Sequence, residues 1–288
     1  MASLPTIAVL PDDLNRAIRY LTPLSPTAQR MLTYLRGEDA NMAVLAELVE
    51  FDPVIAADVL REASTARYSA YRAPGSIREA VVRLGFTSLL GLVLDRYMGQ
   101  LRKAAPTYDL SEDDLWSHGA ATQLAVRALR DRHPALAVPA VAETAALLHD
   151  IGKLIIIRKR TVPAERIRER ALSQGLSFLA AERAEIGSDH TEVGAALANY
   201  WRLPEPIVQA IRWHHDPGAV RSIVVDAVAL ANLAAKTVEA GLGAEGLDLQ
   251  IDRALFTRLG IGFDAFAEIC LTTQLEIEAL RQRLGARS

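Results

Sequence analysis

The chain has a single cysteine, Cys270, among 288 residues. That excludes an internal disulfide framework and makes a reducing cytoplasm the expected setting. Long apolar runs are also missing. Half the residues are hydrophobic, yet no uninterrupted stretch approaches the roughly 20 residues needed to cross a bilayer. The best candidates, Val141–Leu148 and Ser222–Ala235, are short or broken by polar side chains. The opening Met-Ala-Ser-Leu-Pro-Thr lacks the basic region of a secretion signal, so no membrane association is expected. A basic excess is missing too: the net charge is −3, and arginines alternate with acids, as in Arg166-Ile-Arg-Glu-Arg170. Such a mixture reads as a solvated helix face, and direct nucleic-acid binding is not expected.

Convincing strand alternation is absent, and nearly every segment carries helical period, so the fold class is all-α. Ser25 and Pro26 are placed to start a helix carrying Ala28, Met31, Leu32 and Leu35. Asn41 caps the next, with Val44, Leu45, Leu48 and Val49 as its apolar stripe, and Pro53 opens another through Leu60 and Ala63. Arg72 to Ser76 is turn chemistry, with Ser76 capping Ile77–Leu84 before Gly85. Lys103 to Asp109 is the best candidate boundary. The expected organisation is a small N-terminal helical bundle over 11–105, a core over 106–240 and C-terminal helices over 241–288 packing on that core. Ser111 and Asp114 form an acidic capping box opening the helix of Trp116 and His118.

Five of the six histidines then fall into one ordered set: His118, His149 beside Asp150, His190, and the pair His214-His215. Neutral imidazole is the commonest metal ligand, and an adjacent carboxylate lets two consecutive residues hold one cation. His149 and Asp150 end the apolar helix Val141–Leu148, where buried polar groups are costly unless paired or coordinated. Gly152 gives the backbone room for another segment to approach, and Lys153 supplies a cation suited to a phosphate oxygen. Asp114, four residues before His118, shares its helical face and could add a ligand or orient the ring. The sixth histidine, His133, beside Asp131 and Pro134, is read as capping carbonyls or filling a polar hole.

At His149-Asp-Ile-Gly-Lys153 the sequence resembles the HD superfamily of metal-dependent phosphohydrolases, and its histidine order is similar to the HD-GYP branch that cleaves cyclic di-GMP. The whole chain most resembles the HDOD family, the HD-related output domain of bacterial signalling. In the front half the resemblance rests on Leu24-Ser-Pro26, Phe51-Asp-Pro53 with Ile55 to Arg61, and Ser76 to Gly85. The back half adds Asp189-His-Thr-Glu-Val-Gly194, Trp201-Arg-Leu-Pro-Glu-Pro206 and Ala210-Ile-Arg-Trp-His-His215. The resemblance covers roughly residues 15–285 and implies an HD-like helical core.

Two departures limit what carries over. HD phosphohydrolases complete a metal site with an aspartate on a late helix, and the matching Val228-Ala-Leu-Ala-Asn232 offers an amide instead. Asp226, six residues earlier, lies about 240° around that helix and cannot replace it. His215 is followed by Asp-Pro-Gly218, and no Gly-Tyr-Pro substrate loop exists. By resemblance, the leading expectation is a regulatory signalling module acting through contacts with other signalling proteins. The rival is a metal-dependent phosphohydrolase acting on a nucleotide or other phosphoester, with Asp150 and Lys153 as its catalytic residues. There His118, His149, Asp150 and Asn232 would hold one ion, and Asp150 would bridge to a second held by His190, His214 and His215. A third reading is a metal or small-ligand sensor. Such mixed N/O ligation suits one or two ions of iron, manganese, nickel or zinc. The sequence leaves the oligomeric state open, and Arg67, Tyr68, Tyr71 and Arg72 read as a partly exposed helix end or an interface.

Overall fold

The computed structural model describes residues 10–20, 30–31, 41–50, 53–65, 74–102, 112–159, 164–238 and 252–285, with a few positions, including Asp114 and Trp116, described by backbone alone. The expected Ser25 and Ser111 caps, the boundary at 103–109 and the cluster Arg67–Arg72 lie outside the described residues. Among these residues every regular element is helical, as the periodicity predicts.

The chain divides into two compact units, one formed by 22–103 with 201–204, the other by 1–21, 104–200 and 205–288. The smaller unit contains α2 (Met42–Glu50), α3 (Pro53–Ala63) and α4 (Ile77–Arg102). Asn41 Oδ1 accepts the Ala43 N–H at 2.8 Å and caps α2 as expected. Ser76 Oγ accepts from Glu79 N at 3.1 Å while the Glu79 carboxylate accepts from Gly75 N at 2.9 Å, so the start of α4 is held from both sides. The helix expected to stop before Gly85 instead abuts a second helical stretch across a break, where Gly85 takes φ 68°. Helices α2 and α3 pack on α4 and bury Leu45, Val49, Val59, Val81 and Leu84. Each such side chain contributes about 1.5–3 kcal/mol.

The larger unit begins with α1 (Asp12–Tyr20), whose local pattern groups it with the front block but which packs against α7 (Ile151–Lys159) and α10 (His190–Tyr200). Its centre is the short helix α6 (Val141–Leu148), which has the bounds expected from sequence and is buried from Ala142 to Leu148. Ala142, Ala145 and Ala146 keep it slim enough for α5 (Glu112–Arg132), α11 (Glu205–Trp213) and α12 (Ile223–Thr237) to pack around it. Its one charge, Glu143, pairs with Arg127 at 3.2 Å and also with Arg130, both from α5. Helices α8 (Ala164–Gln174) and α9 (Phe178–Ile186) pack together. The last two helices are α13 (Arg253–Leu259) and α14 (Phe263–Gly285). Ile277 of α14 joins Ala120, Ala121 and Leu124 of α5 in one apolar cluster, so α14 shares the core. Asp226 of α12 accepts a forked bond from Arg258 of α13, at 2.8 Å from Nη2 and 3.1 Å from Nε.

Candidate metal centre

The metal-ligating residues expected from sequence meet where α5, α6, α10, α11 and α12 converge in the larger unit. His118 comes from α5, His149 and Asp150 from the link between α6 and α7, and His190 from the first position of α10. His214 and His215 directly follow α11, and Asn232 lies on α12. His118, His149, Asp150, His190, His214 and Asn232 are all buried, and only His215 is partly open.

Asp150 is the pivot. Its Oδ1 lies 3.3 Å from His190 Nε2 and 3.6 Å from His214 Nε2. Its Oδ2 lies 3.4 Å from His149 Nε2 and 3.7 Å from His118 Nε2. Two overlapping ligand groups result, Asp150 with His190, His214 and His215, and Asp150 with His118 and His149. Asn232 Oδ1 stands 3.0 Å from His118 Nε2, so the amide takes the position inferred for the late-helix ligand. Asp226 is engaged elsewhere with Arg258, as its angular offset requires.

The outward-facing atoms decide how these rings present themselves. His149 Nδ1 is 2.7 Å from the Ala146 carbonyl and His214 Nδ1 is 3.0 Å from the Ile211 carbonyl. His190 Nδ1 is 2.8 Å from the Glu182 carboxylate. Each acceptor requires a proton on Nδ1, so in a neutral ring the lone pair sits on Nε2 and faces Asp150. Three lone pairs aimed at a carboxylate repel unless a cation lies between them. Among the described residues, buried His149 Nε2, His214 Nε2 and Asp150 Oδ1 also have no hydrogen-bond partner. Ions with ligands at about 2.1 Å space neighbouring donors about 3.0 Å apart in an octahedron and about 3.4 Å in a tetrahedron. The observed separations lie close to that range, and the donor set fits a divalent transition metal.

Electrostatics agree. Burial drives His214 down to about 3, helped by the neighbouring His215. Burial also holds His149 well below its ordinary value, although Asp150 pulls the other way. Both rings are neutral near pH 7, the form that binds metal. Burial alone would raise the Asp150 carboxyl, but the Lys153 ammonium beside it acts in the opposite sense, and the carboxyl lies well below the usual range.

Lys153 lies beside the same carboxylate. Its ammonium is buried and lies 2.7 Å from Asp150 Oδ2, engaged by the carboxylate three residues earlier. Glu182 was absent from the candidate set, although it is fully buried and grips His190. His133 makes no side-chain cap bond at the following turn, and its buried Nε2 has no partner among the described residues. The side chain of Asp114 lies outside the described residues.

Residues 21–217 match the HDOD domain. An uncharacterized protein of Treponema pallidum (strain Nichols) is 26% identical over 235 residues; the alignment covers 77% of this chain but only 43% of that relative. An HDOD domain protein of unknown function from Geobacter sulfurreducens is 26% identical, with a TM-score of 0.65, covering 96% of this chain and 95% of that one. A Shewanella amazonensis SB2B protein provisionally named a phosphohydrolase is 25% identical, with a TM-score of 0.58 and coverage of 91% and 98%. With two thirds of its length matched by the domain, and the histidine set of the HD core in place, this chain belongs to the HDOD family.

Proposed function

We propose that the protein is a signal-transduction module of the HDOD type whose larger helical unit is organised by a bound divalent transition metal, and that it works through contacts with other signalling proteins in a reducing cytoplasm. One observation carries this reading: three imidazoles, anchored from outside through Nδ1, turn their Nε2 atoms onto a single buried carboxylate. Asp150, His190, His214 and His215 would hold one ion, and His118, His149, Asp150 and Asn232 would hold a second. The metal would supply Lewis acidity and the cross-link between helices. This chain's own residues supply enclosure and ring orientation. Regulation is favoured over turnover because Lys153 is committed to Asp150, because Asn232 contributes no charge, and because the ligands are buried apart from His215. No described helix is long and apolar enough to cross a membrane.

Metal-replete and chelator-treated protein should differ in stability. An ion at about 100 times its Kd adds about 2.7 kcal/mol. Identical unfolding curves would contradict the reading. A second reading, metal-dependent phosphoester hydrolysis, is favoured by the partial opening at His215. It calls for metal-dependent turnover of a nucleotide phosphoester that Asp150→Ala abolishes. Under the leading reading a panel that includes cyclic di-GMP shows no such turnover.

A further inference from the structure

Glu182 belongs to none of the motifs that suggested the metal centre. It occupies the second turn of α9, with 0% of its surface exposed. Its Oε2 accepts two hydrogen bonds from the same residue, the backbone N–H of His190 at 3.0 Å and ring Nδ1 at 2.8 Å. Among the described residues its Oε1 has no hydrogen-bond partner. A wholly buried carboxylate is costly, so a role met equally well by a neutral side chain does not account for it.

Helix capping is such a role, and Asp189 shares it. Asp189 caps α10, its Oδ1 accepting from Glu192 N at 2.9 Å and from Thr191 Oγ1 at 2.6 Å. Glu182 adds the His190 N–H to that cap, a bond that a neutral acceptor would serve as well, so what calls for its charge is the ring. By holding both the main chain and Nδ1 of His190, it fixes the ring's plane as well as its tautomer. His149 and His214 lean on neutral carbonyls, whereas His190 leans on a carboxylate. A charge-assisted bond at Nδ1 pushes electron density to Nε2 and makes that nitrogen a stronger donor to a cation. Nε2 faces Asp150 Oδ1 at 3.3 Å and His215 Nε2 at 3.2 Å.

We propose that Glu182 is a positioning residue that locks and strengthens His190 as the anchoring ligand of the metal centre. The proposal rests on the metal reading above. Its test is a cobalt(II) titration of the metal-free full chain, followed by visible absorption, for wild type, Glu182→Gln and Thr273→Val. Glutamine keeps the size and an acceptor for the His190 N–H but removes the charge. Thr273 is equally buried and, among the described residues, bonds only within its own helix, to the Ile269 carbonyl, so it controls for general loss of stability. Glu182→Gln should weaken cobalt binding about 10- to 100-fold and shift the ligand-field bands of the saturated protein. Thr273→Val should leave both unchanged. Wild-type affinity and spectrum in Glu182→Gln would overturn the proposal and leave the metal reading intact, whereas no cobalt uptake by wild type overturns the metal reading itself. If Glu182→Gln does not fold, proton NMR of the zinc-loaded wild type decides. A slowly exchanging downfield imidazole proton at His190 Nδ1 is expected, and its absence overturns the proposal.

Discussion

A Cβ added to Gly152 would stand 1.9 Å from the carbonyl oxygen of His190, and 2.6 Å from the backbone nitrogen of Gly194. Helices α7 and α10 therefore touch main chain to main chain immediately beside the two residues, Asp150 and His190, that face each other across the centre. The separation of those two residues is set by backbone contact and cannot be tuned by a flexible side chain. Gly152→Ala should force the helices apart at a cost of about 1–3 kcal/mol or more. Urea unfolding should show a lower midpoint, and the same variant should bind metal more weakly than wild type. An unchanged midpoint would mean that α7 and α10 do not cross here.

Asn232→Asp should tighten metal binding. The amide oxygen lies 3.0 Å from His118 Nε2, so a carboxylate in the same place adds a negative charge to the His118, His149 and Asp150 group. A tenfold gain corresponds to about 1.4 kcal/mol. Calorimetric titration with zinc is the measurement, and equal affinity for the two proteins would refute the placement of α12.

Acid should destabilise the metal-free protein. His214 lies at about 3 in the fold against an ordinary 6.5. Between those values the unfolded chain takes up a proton that the folded chain excludes. The stabilisation is complete above pH 6.5 and is lost as pH falls towards 3, by up to about 1.4 kcal/mol per pH unit. His149, also depressed, adds loss in the same direction below pH 6.5. Asp150, held below its ordinary 3.8, adds a further loss in more acid solution. Denaturant unfolding at a series of pH values should show stability falling from pH 7 to pH 4; a flat profile would contradict neutral, buried imidazoles.

Cys270 should resist alkylation. Burial raises its thiol to about 11, and 8% of its surface is exposed. At pH 8 only about one molecule in a thousand carries the reactive thiolate. Iodoacetamide followed by mass spectrometry should show slow labelling in buffer and rapid labelling in denaturant. Fast labelling of the folded protein would place α14 away from α5.

Features governed by neighbouring residues were legible in the sequence. Asn41, Pro53 and Ser76 mark helix starts through local hydrogen bonding and fixed φ, and the apolar run Val141–Leu148 gives the bounds of α6. The histidine set was legible because imidazole is rare here and its order is distinctive. Glu182 carried no such signal. One of many glutamates, it sits eight residues before His190 on a different helix, so no helical period links them. Lys153 was legible as a cation one turn beyond Asp150, but its contact with that carboxylate depends on burial that sequence does not state. The grouping of α1 with α7 and α10 is a long-range contact without local pattern. Gly85 was legible as a helix stop, but not the second helical stretch resuming directly after it.

The most direct measurement is elemental analysis of wild type and Asp150→Ala, both purified under metal-replete, reducing conditions. Asp150 lies between the two ligand groups, so its loss disables both. One to two transition-metal ions per wild-type chain and none in folded Asp150→Ala is the predicted result. A folded wild type without metal, or equal metal content in the two proteins, would contradict it.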